Sequence, residues 1–126
     1  MNVKYFRSPQ GLIIMVGMDD RSNDQLSLRV ADQNDLWFHV SGFPGSHVIL
    51  RCGGLEPDKL SIQTAAELAA WFSKMRKGGT VSVSCCHAKN VSKPPKAHPG
   101  TVSIKKEKNI KVRPTLHPEI SPPTED

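Results

Sequence analysis

No run in the chain approaches the roughly 18 consecutive apolar residues that a membrane-spanning helix requires, and the first residues (Met-Asn-Val-Lys-Tyr-Phe-Arg) hold no long apolar core of a signal peptide. A soluble, cytoplasmic protein with no membrane partner is the expectation. Cysteine is scarce: there are three, two of them adjacent at Cys85-Cys86, and that odd number does not suggest a disulfide framework. The chain also lacks a phosphate-binding glycine loop, a His-Glu-x-x-His pair, a Gly-x-Ser-x-Gly elbow and a Cys-x-x-Cys pair. These absences argue against an enzyme; no catalytic residue and no cofactor is expected. Cys85-Cys86-His87 offers metal-ligand types beside His39 or His47. Adjacent strand residues point to opposite faces, however, so two neighbouring thiols rarely reach one ion, and no metal site is expected. Cys85 reads as a small buried hydrophobe and Cys86 as a partly exposed thiol.

What is present begins with charge. The 126 residues carry a net +5, distributed unevenly. Residues 87–113 hold eight lysines and arginines against one acid, whereas residues 1–86 are close to balanced and residues 114–126 hold only acids. A basic block this dense is an electrostatic footprint for a phosphate-rich partner.

Residues 35–51 are the most informative stretch. Two short apolar runs, Leu36–Val40 and Val48–Leu50, flank a Gly/Pro turn, and each has a histidine beside it. Strand alternation puts Trp37 and His39 on one face and Leu36, Phe38 and Val40 on the other. Antiparallel pairing across the turn brings His39 near His47 and Trp37 near Ile49. One face then holds a core, and the other presents Trp37, His39, Ser46, His47 and Arg51 for function.

Around this pair, Lys4–Arg7 and Leu12–Val16 read as an opening hairpin about a type I turn at Ser8-Pro9-Gln10-Gly11. Ser22-Asn23-Asp24 offers caps for a short helix through Leu26 and Val30. The longest helix is expected over about 62–77, capped by Ser61, with Ile62, Ala65, Leu68, Phe72 and Met75 along one stripe. Lys74, Arg76 and Lys77 fall in its last turn, where the helix dipole favours cations, and Gly78-Gly79 ends it. Thr80–Cys85 alternates as a half-buried strand with Val81, Val83 and Cys85 inward. The proline- and lysine-bearing segment 88–100 reads as a loop. Thr101–Lys105 and Asn109–Arg113 alternate again and are expected to form a final hairpin with a basic outer face. The architecture is α+β: a largely antiparallel sheet with one long alanine-rich helix and a short helix packed on one face. The domain is drawn at 1–114, with a disordered Pro/acidic tail over 115–126.

Four motifs together resemble the NFACT-R domain family: Asp35–Val40 with Pro44–Leu50, the helix Ala65–Ser73, Val91-Ser92-Lys93-Pro94 with Pro99–Val102, and the opening strand Gly11–Gly17 followed by Asn23-Asp24. The likeness runs over about residues 4–114. It implies nucleic-acid binding, chiefly of RNA. In long members this module accompanies domains that engage tRNA and the stalled large ribosomal subunit and add untemplated residues to nascent chains. This chain carries the module only, so tailing is not expected of it alone. The family often has an arginine where this chain has Met18, and a more aromatic or hydroxyl-rich run in place of Cys85-Cys86-His87.

The expected site follows. Lys93, Lys96, Lys105, Lys106, Lys108, Lys111 and Arg113 neutralise phosphates without sequence choice. His39, Ser46 and His47 bond to phosphate, 2′-OH or base edges, Arg51 lies on the same face, and Trp37 stacks on an unpaired base. The expected partner is tRNA or ribosomal RNA in ribosome-associated quality control. The rival readings are a DNA binder using the same lysines, a protein-interaction adaptor relying on the Pro-rich tail, and a small hydrolase built on a metal or on His39, His47 and Ser46, for which no carboxylate is placed to orient a histidine.

Overall fold

The structure, a computed structural model, describes residues 1–124. Its frame is one seven-stranded, wholly antiparallel sheet. Strands β1 (Val3–Arg7) and β2 (Ile13–Gly17) form the opening hairpin, in register from Val3 opposite Gly17 to Arg7 opposite Ile13. The Gly11 amide closes the turn by donating to the Ser8 carbonyl at 2.8 Å, with Gly11 at φ +94°, a conformation that glycine adopts without a Cβ penalty. Strands β3 (Leu36–Val40), β4 (Val48–Leu50), β5 (Val81–His87), β6 (Val91–Ser92), β7 (Ser103–Ile104), β8 (Lys108–Val112) and β9 (Glu119–Ile120) follow. Spatially the main sheet runs β8-β5-β3-β4-β2-β1-β9, and β6 and β7 form a separate two-stranded ribbon. Among the described residues no helix is long and apolar enough to cross a membrane.

Alternation along the strands builds two cores. On one face Phe6, Ile14, Val16, Phe38, Val40, Val48, Leu50, Val81 and Val83 meet helix α2 (Lys59–Trp71). Its Ala65, Ala66, Ala69 and Ala70 are buried, and their small side chains let the helix lie close on the sheet, with Leu68 as the large anchor. On the opposite face Met15, Trp37, Ile49, Cys86 and Val91 pack under Leu26 and Val30. These two belong to the π-helical turn Leu26–Val30, which continues the short helix α1 (Asp20–Gln25). The α+β class holds, and the two helical segments sit on opposite faces of the sheet rather than sharing one.

Local chemistry explains where elements depart from the sequence expectation. Helix α2 starts earlier because Asp58, not Ser61, is the cap: its carboxylate accepts the Ser61 amide at 2.7 Å, while the Ser61 hydroxyl donates to Ser8 Oγ at 2.8 Å. It ends at Phe72 because the chain there turns to the β3–β4 connection. The Ser46 amide donates to the Phe72 carbonyl at 2.8 Å, and the Lys74 amide to the Pro44 carbonyl at 3.0 Å. Lys74, Arg76 and Lys77 therefore lie beyond the helix rather than in its last turn. In the short helix the cap is Asp19, whose carboxylate accepts the Ser22 amide at 2.8 Å.

The expected final hairpin does not form. β7 pairs with β6, and β8 pairs with β5 from Val81 opposite Val112 to Cys85 opposite Lys108. The two strands serve different cores: Ile110 and Val112 join the α2 side, whereas Ile104 joins the Trp37 side. The tail is also docked rather than disordered over the described residues. β9 pairs with β1 through Tyr5–Ile120 and Phe6–Glu119, and His117 Nε2 lies 2.8 Å from Glu67 Oε1 on α2.

Candidate functional site

The β3–β4 pair has the expected register, with Trp37 opposite Ile49, and the His39 and His47 rings lie 5.4 Å apart in an edge-to-face arrangement. Trp37 completes a cluster of three rings, 5.9 Å from His39 and 5.2 Å from His47. The cluster is mostly interior. Trp37 is 2% and His47 3% exposed, so neither offers the open platform that stacking on a base requires. Trp37 Nε1–H donates to Ser27 Oγ at 2.9 Å, which leaves the Ser27 hydroxyl proton for His47 Nδ1 at 2.7 Å. The backbone of His47 is held as well: its amide donates to Asn23 Oδ1 at 3.0 Å. Burial pushes the His47 imidazole down to about 4, and the neighbouring His39 adds to this; burial also lowers His39. Both rings are therefore neutral near pH 7 and act as donor and acceptor, not as cations.

The other histidine-face residues separate. Ser46 projects to the opposite side, into a cleft shared with Phe72, Ser73 and Arg76. Arg51 is committed to structure: it donates to the Val30 carbonyl at 2.7 Å and stands 3.7 Å from buried Asp35 and 4.0 Å from Asp32. Asp35 in turn accepts the Cys52 and Asp32 amides, each at 2.9 Å. The face expected to hold Ser46 and Arg51 beside the histidines is not assembled that way.

The basic block also divides. Lys93 is a staple: its ammonium meets Asp24 at 2.9 Å and donates to the carbonyls of His98 and Thr101, while the Gly100 amide donates to Asp24 at 3.1 Å. This fastens the 93–101 loop onto α1. Lys96, Lys105, Lys106, Lys108, Lys111 and Arg113 are exposed. Alternation in β8 places Lys111 on the histidine side of the sheet and Lys108 on the α2 side. Lys96 (φ 61°) and Lys106 (φ 57°) sit in left-handed backbone, which side-chain-bearing residues rarely adopt.

Between these pieces lies an open cleft of about 280 Å³, lined by His39, Ser41, Gly42, Ser84, Thr101 and Val102. Beside it Ser41, Ser82, Ser84 and Asn109 make a polar floor on the part of the sheet left uncovered by the β6–β7 ribbon. Sequence reasoning passed over these residues because serine and asparagine carry no charge and match no motif; the alternation of Ser82 and Ser84 with Val81 and Val83 was the available signal. Phe43, on the β3–β4 turn, is 48% exposed.

A histidine-based hydrolase would need a carboxylate on His47 Nδ1. That position belongs to Ser27, and the Asp24 carboxylate is taken by Lys93 and Gly100. Cys85 and Cys86 point to opposite faces, as expected, but Cys86 is buried in the second core rather than partly exposed. Burial raises the Cys85 thiol to about 12 and the Cys86 thiol to about 11, so both stay protonated. Among the described residues no group of three or more His, Cys, Asp or Glu side chains is arranged to hold a metal ion.

Residues 2–106 match the family described as the NFACT protein RNA binding domain. The chain belongs to that family. It is 39% identical over 109 residues to the Rqc2 homolog RqcH of Bacillus subtilis (strain 168), a match covering 86% of this chain and 19% of that protein. It is 38% identical over 112 residues to the Rqc2 homolog RqcH of Streptococcus suis (strain 05ZYH33), covering 89% of this chain and 20% of that protein. Among solved structures it resembles the C-terminal part of the fibronectin/fibrinogen-binding protein from Streptococcus suis, with TM-score 0.86 and 37% identity over 91% of this chain and 46% of that one. The chain spans about a fifth of the length of the RqcH relatives it matches. The family match ends at residue 106, before β8 begins, so Asn109 and Lys111 lie outside it.

Proposed function

We propose that this chain is an RNA-binding module that works in ribosome-associated quality control, contacting tRNA or ribosomal RNA on the large subunit in the cytoplasm. Membership of a family described by RNA binding and likeness to RqcH proteins support the setting. The observation that carries the site is exposed Lys111 standing opposite Ser82, on the same face of the sheet as a neutral polar floor. Lys96, Lys105, Lys106, Lys111 and Arg113 supply phosphate neutralisation, and Ser41, Ser84, Asn109 and His39 supply directional hydrogen bonds at the sheet surface. Phe43 takes the stacking role that buried Trp37 is not placed to fill. Lys93 serves instead to hold the loop that walls the cleft.

The test is binding of a structured RNA across a salt series. Neutralising about four phosphates should weaken binding by roughly 100-fold or more between 50 and 200 mM salt. Lys105→Ala and Lys111→Ala should each lower the slope of log affinity against log salt by about one. A flat salt response, or no RNA binding at low salt, overturns the reading.

A further inference from the structure

We infer that the floor formed by Ser41, Ser82, Ser84 and Asn109 is a ribose-reading site: it recognises the 2′-hydroxyl of a single-stranded segment and so selects RNA over DNA. This rests on the RNA-binding reading and adds to it the group that does the discriminating.

The geometry begins with Asn109, exposed on edge strand β8 and directly opposite Ser84 on β5. Its Oδ1 accepts from Ser41 Oγ at 3.0 Å and lies 3.4 Å from both Ser82 Oγ and Ser84 Oγ, while Ser41 and Ser84 stand 2.7 Å apart. Three hydroxyls thus converge on one amide oxygen. That convergence orients the carboxamide, so the two N–H donors of Nδ2 lie on its other side, with no protein partner among the described residues. Each serine oxygen also keeps acceptor capacity, because a hydroxyl offers one proton and two lone pairs.

The floor is therefore a pre-oriented, uncharged set of donors and acceptors. An uncharged floor gains little from a phosphate, which a cation binds better. Its match is a neutral group that both donates and accepts, and the 2′-hydroxyl is the one such group that separates RNA from DNA at every nucleotide. Lys111, opposite Ser82, is placed for the adjoining phosphate. Ser82 and Ser84 are same-face neighbours roughly 6–7 Å apart along the strand, the scale of one nucleotide step. An extended single strand following β5 would present successive sugars to them. His39, neutral and half-buried at the cleft, continues the line from the floor toward the turn.

The experiment is fluorescence anisotropy on the full chain with three labelled single strands of one sequence: RNA, DNA, and RNA carrying 2′-O-methyl groups. RNA is expected to bind about fivefold to tenfold tighter than either of the others, the scale of one or two hydrogen bonds. Asn109→Ala and Ser84→Ala should bring RNA down to the DNA value and leave DNA binding unchanged, with Asn109 exposed and so tolerant of truncation. Lys111→Ala should weaken RNA and DNA together and leave their ratio intact. Equal affinity of the wild type for RNA and DNA, or an unchanged ratio in Asn109→Ala and Ser84→Ala, overturns the ribose assignment while RNA binding stands. Binding to none of the three at low salt overturns both.

Discussion

The buried His47 makes stability depend on pH in a way that can be worked through. In an unfolded chain its imidazole protonates near 6.5, whereas in the fold burial holds it down to about 4. Between those values the unfolded state binds a proton that the folded state excludes, so stability falls as pH falls, at up to about 1.4 kcal/mol per pH unit. Over the whole interval the loss from this one residue is roughly 3 kcal/mol, a large share of the 5–15 kcal/mol typical of a domain. The burial-lowered His39 acts in the same direction. Asp19, held below 3.8 by its cap to Ser22, loses its contribution only at still lower pH, outside this window. The assay is urea unfolding at several pH values from 7 to 4.5, on the wild type and on His47→Gln. At pH 7 the variant should be less stable by ~1–3 kcal/mol, because it loses the Ser27–Nδ1 bond in a buried site. As pH falls its curve should be flatter than that of the wild type, and the two should converge. Parallel curves would refute the reasoning, since they would mean that His47 takes up its proton in the fold as easily as out of it.

Two further outcomes test the separation of structural from binding cations, and a third tests the tail. Lys93→Met should lower stability by about 1 kcal/mol and loosen the 93–101 loop, seen as faster amide exchange at Gly100, and Asp24→Asn on top of it should add less than its own effect because the two share one ion pair. Lys96→Gly should raise the melting temperature slightly, by relief of a left-handed backbone worth up to about 1 kcal/mol, while weakening RNA binding at low salt; a gain in both would show that Lys96 is not a contact. Truncation after Pro114 should lower the melting temperature, because β9 and the His117–Glu67 contact go with it; an unchanged melting temperature would show that the tail's pairing contributes nothing.

How far the sequence reached depended on whether a residue's role is local. The opening hairpin, the β3–β4 register and the inward set Val81, Val83 and Cys85 follow from period-2 alternation and turn chemistry, which are properties of neighbours in sequence. The pairing of β8 with β5 is not. Nothing local tells residues 109–113 whether to fold back on 101–105 or to cross to a strand more than twenty residues earlier. The choice is made by which core needs Ile110 and Val112. The pairing of β9 is not legible in the sequence for a related reason: a two-residue strand carries no periodicity, and only the exposed edge of β1 gives it a place.

The same distinction accounts for the site. Charge and aromaticity are conspicuous in a sequence, so Trp37, Arg51 and Lys93 drew a binding role, yet all three are spent inside the protein: Trp37 on Ser27, Arg51 on Asp35 and the Val30 carbonyl, Lys93 on Asp24. A side chain able to hold several partners is as useful for fastening a loop as for binding a ligand, and residue type alone does not separate these uses. What separates them is whether the donors and acceptors are already satisfied. Half-buried Arg51 and Lys93 have partners on every side that matters to the fold. The Asn109 carboxamide has its oxygen held among the serine hydroxyls, and its nitrogen has no protein partner among the described residues. An asymmetry of that kind costs the folded protein little, because water serves the free end, and it leaves a fixed donor pair whose direction is set before any ligand arrives. On this reasoning affinity and selectivity reside in different residues: removing an exposed lysine should change the salt slope for every nucleic acid, whereas removing Asn109 should change which one is preferred.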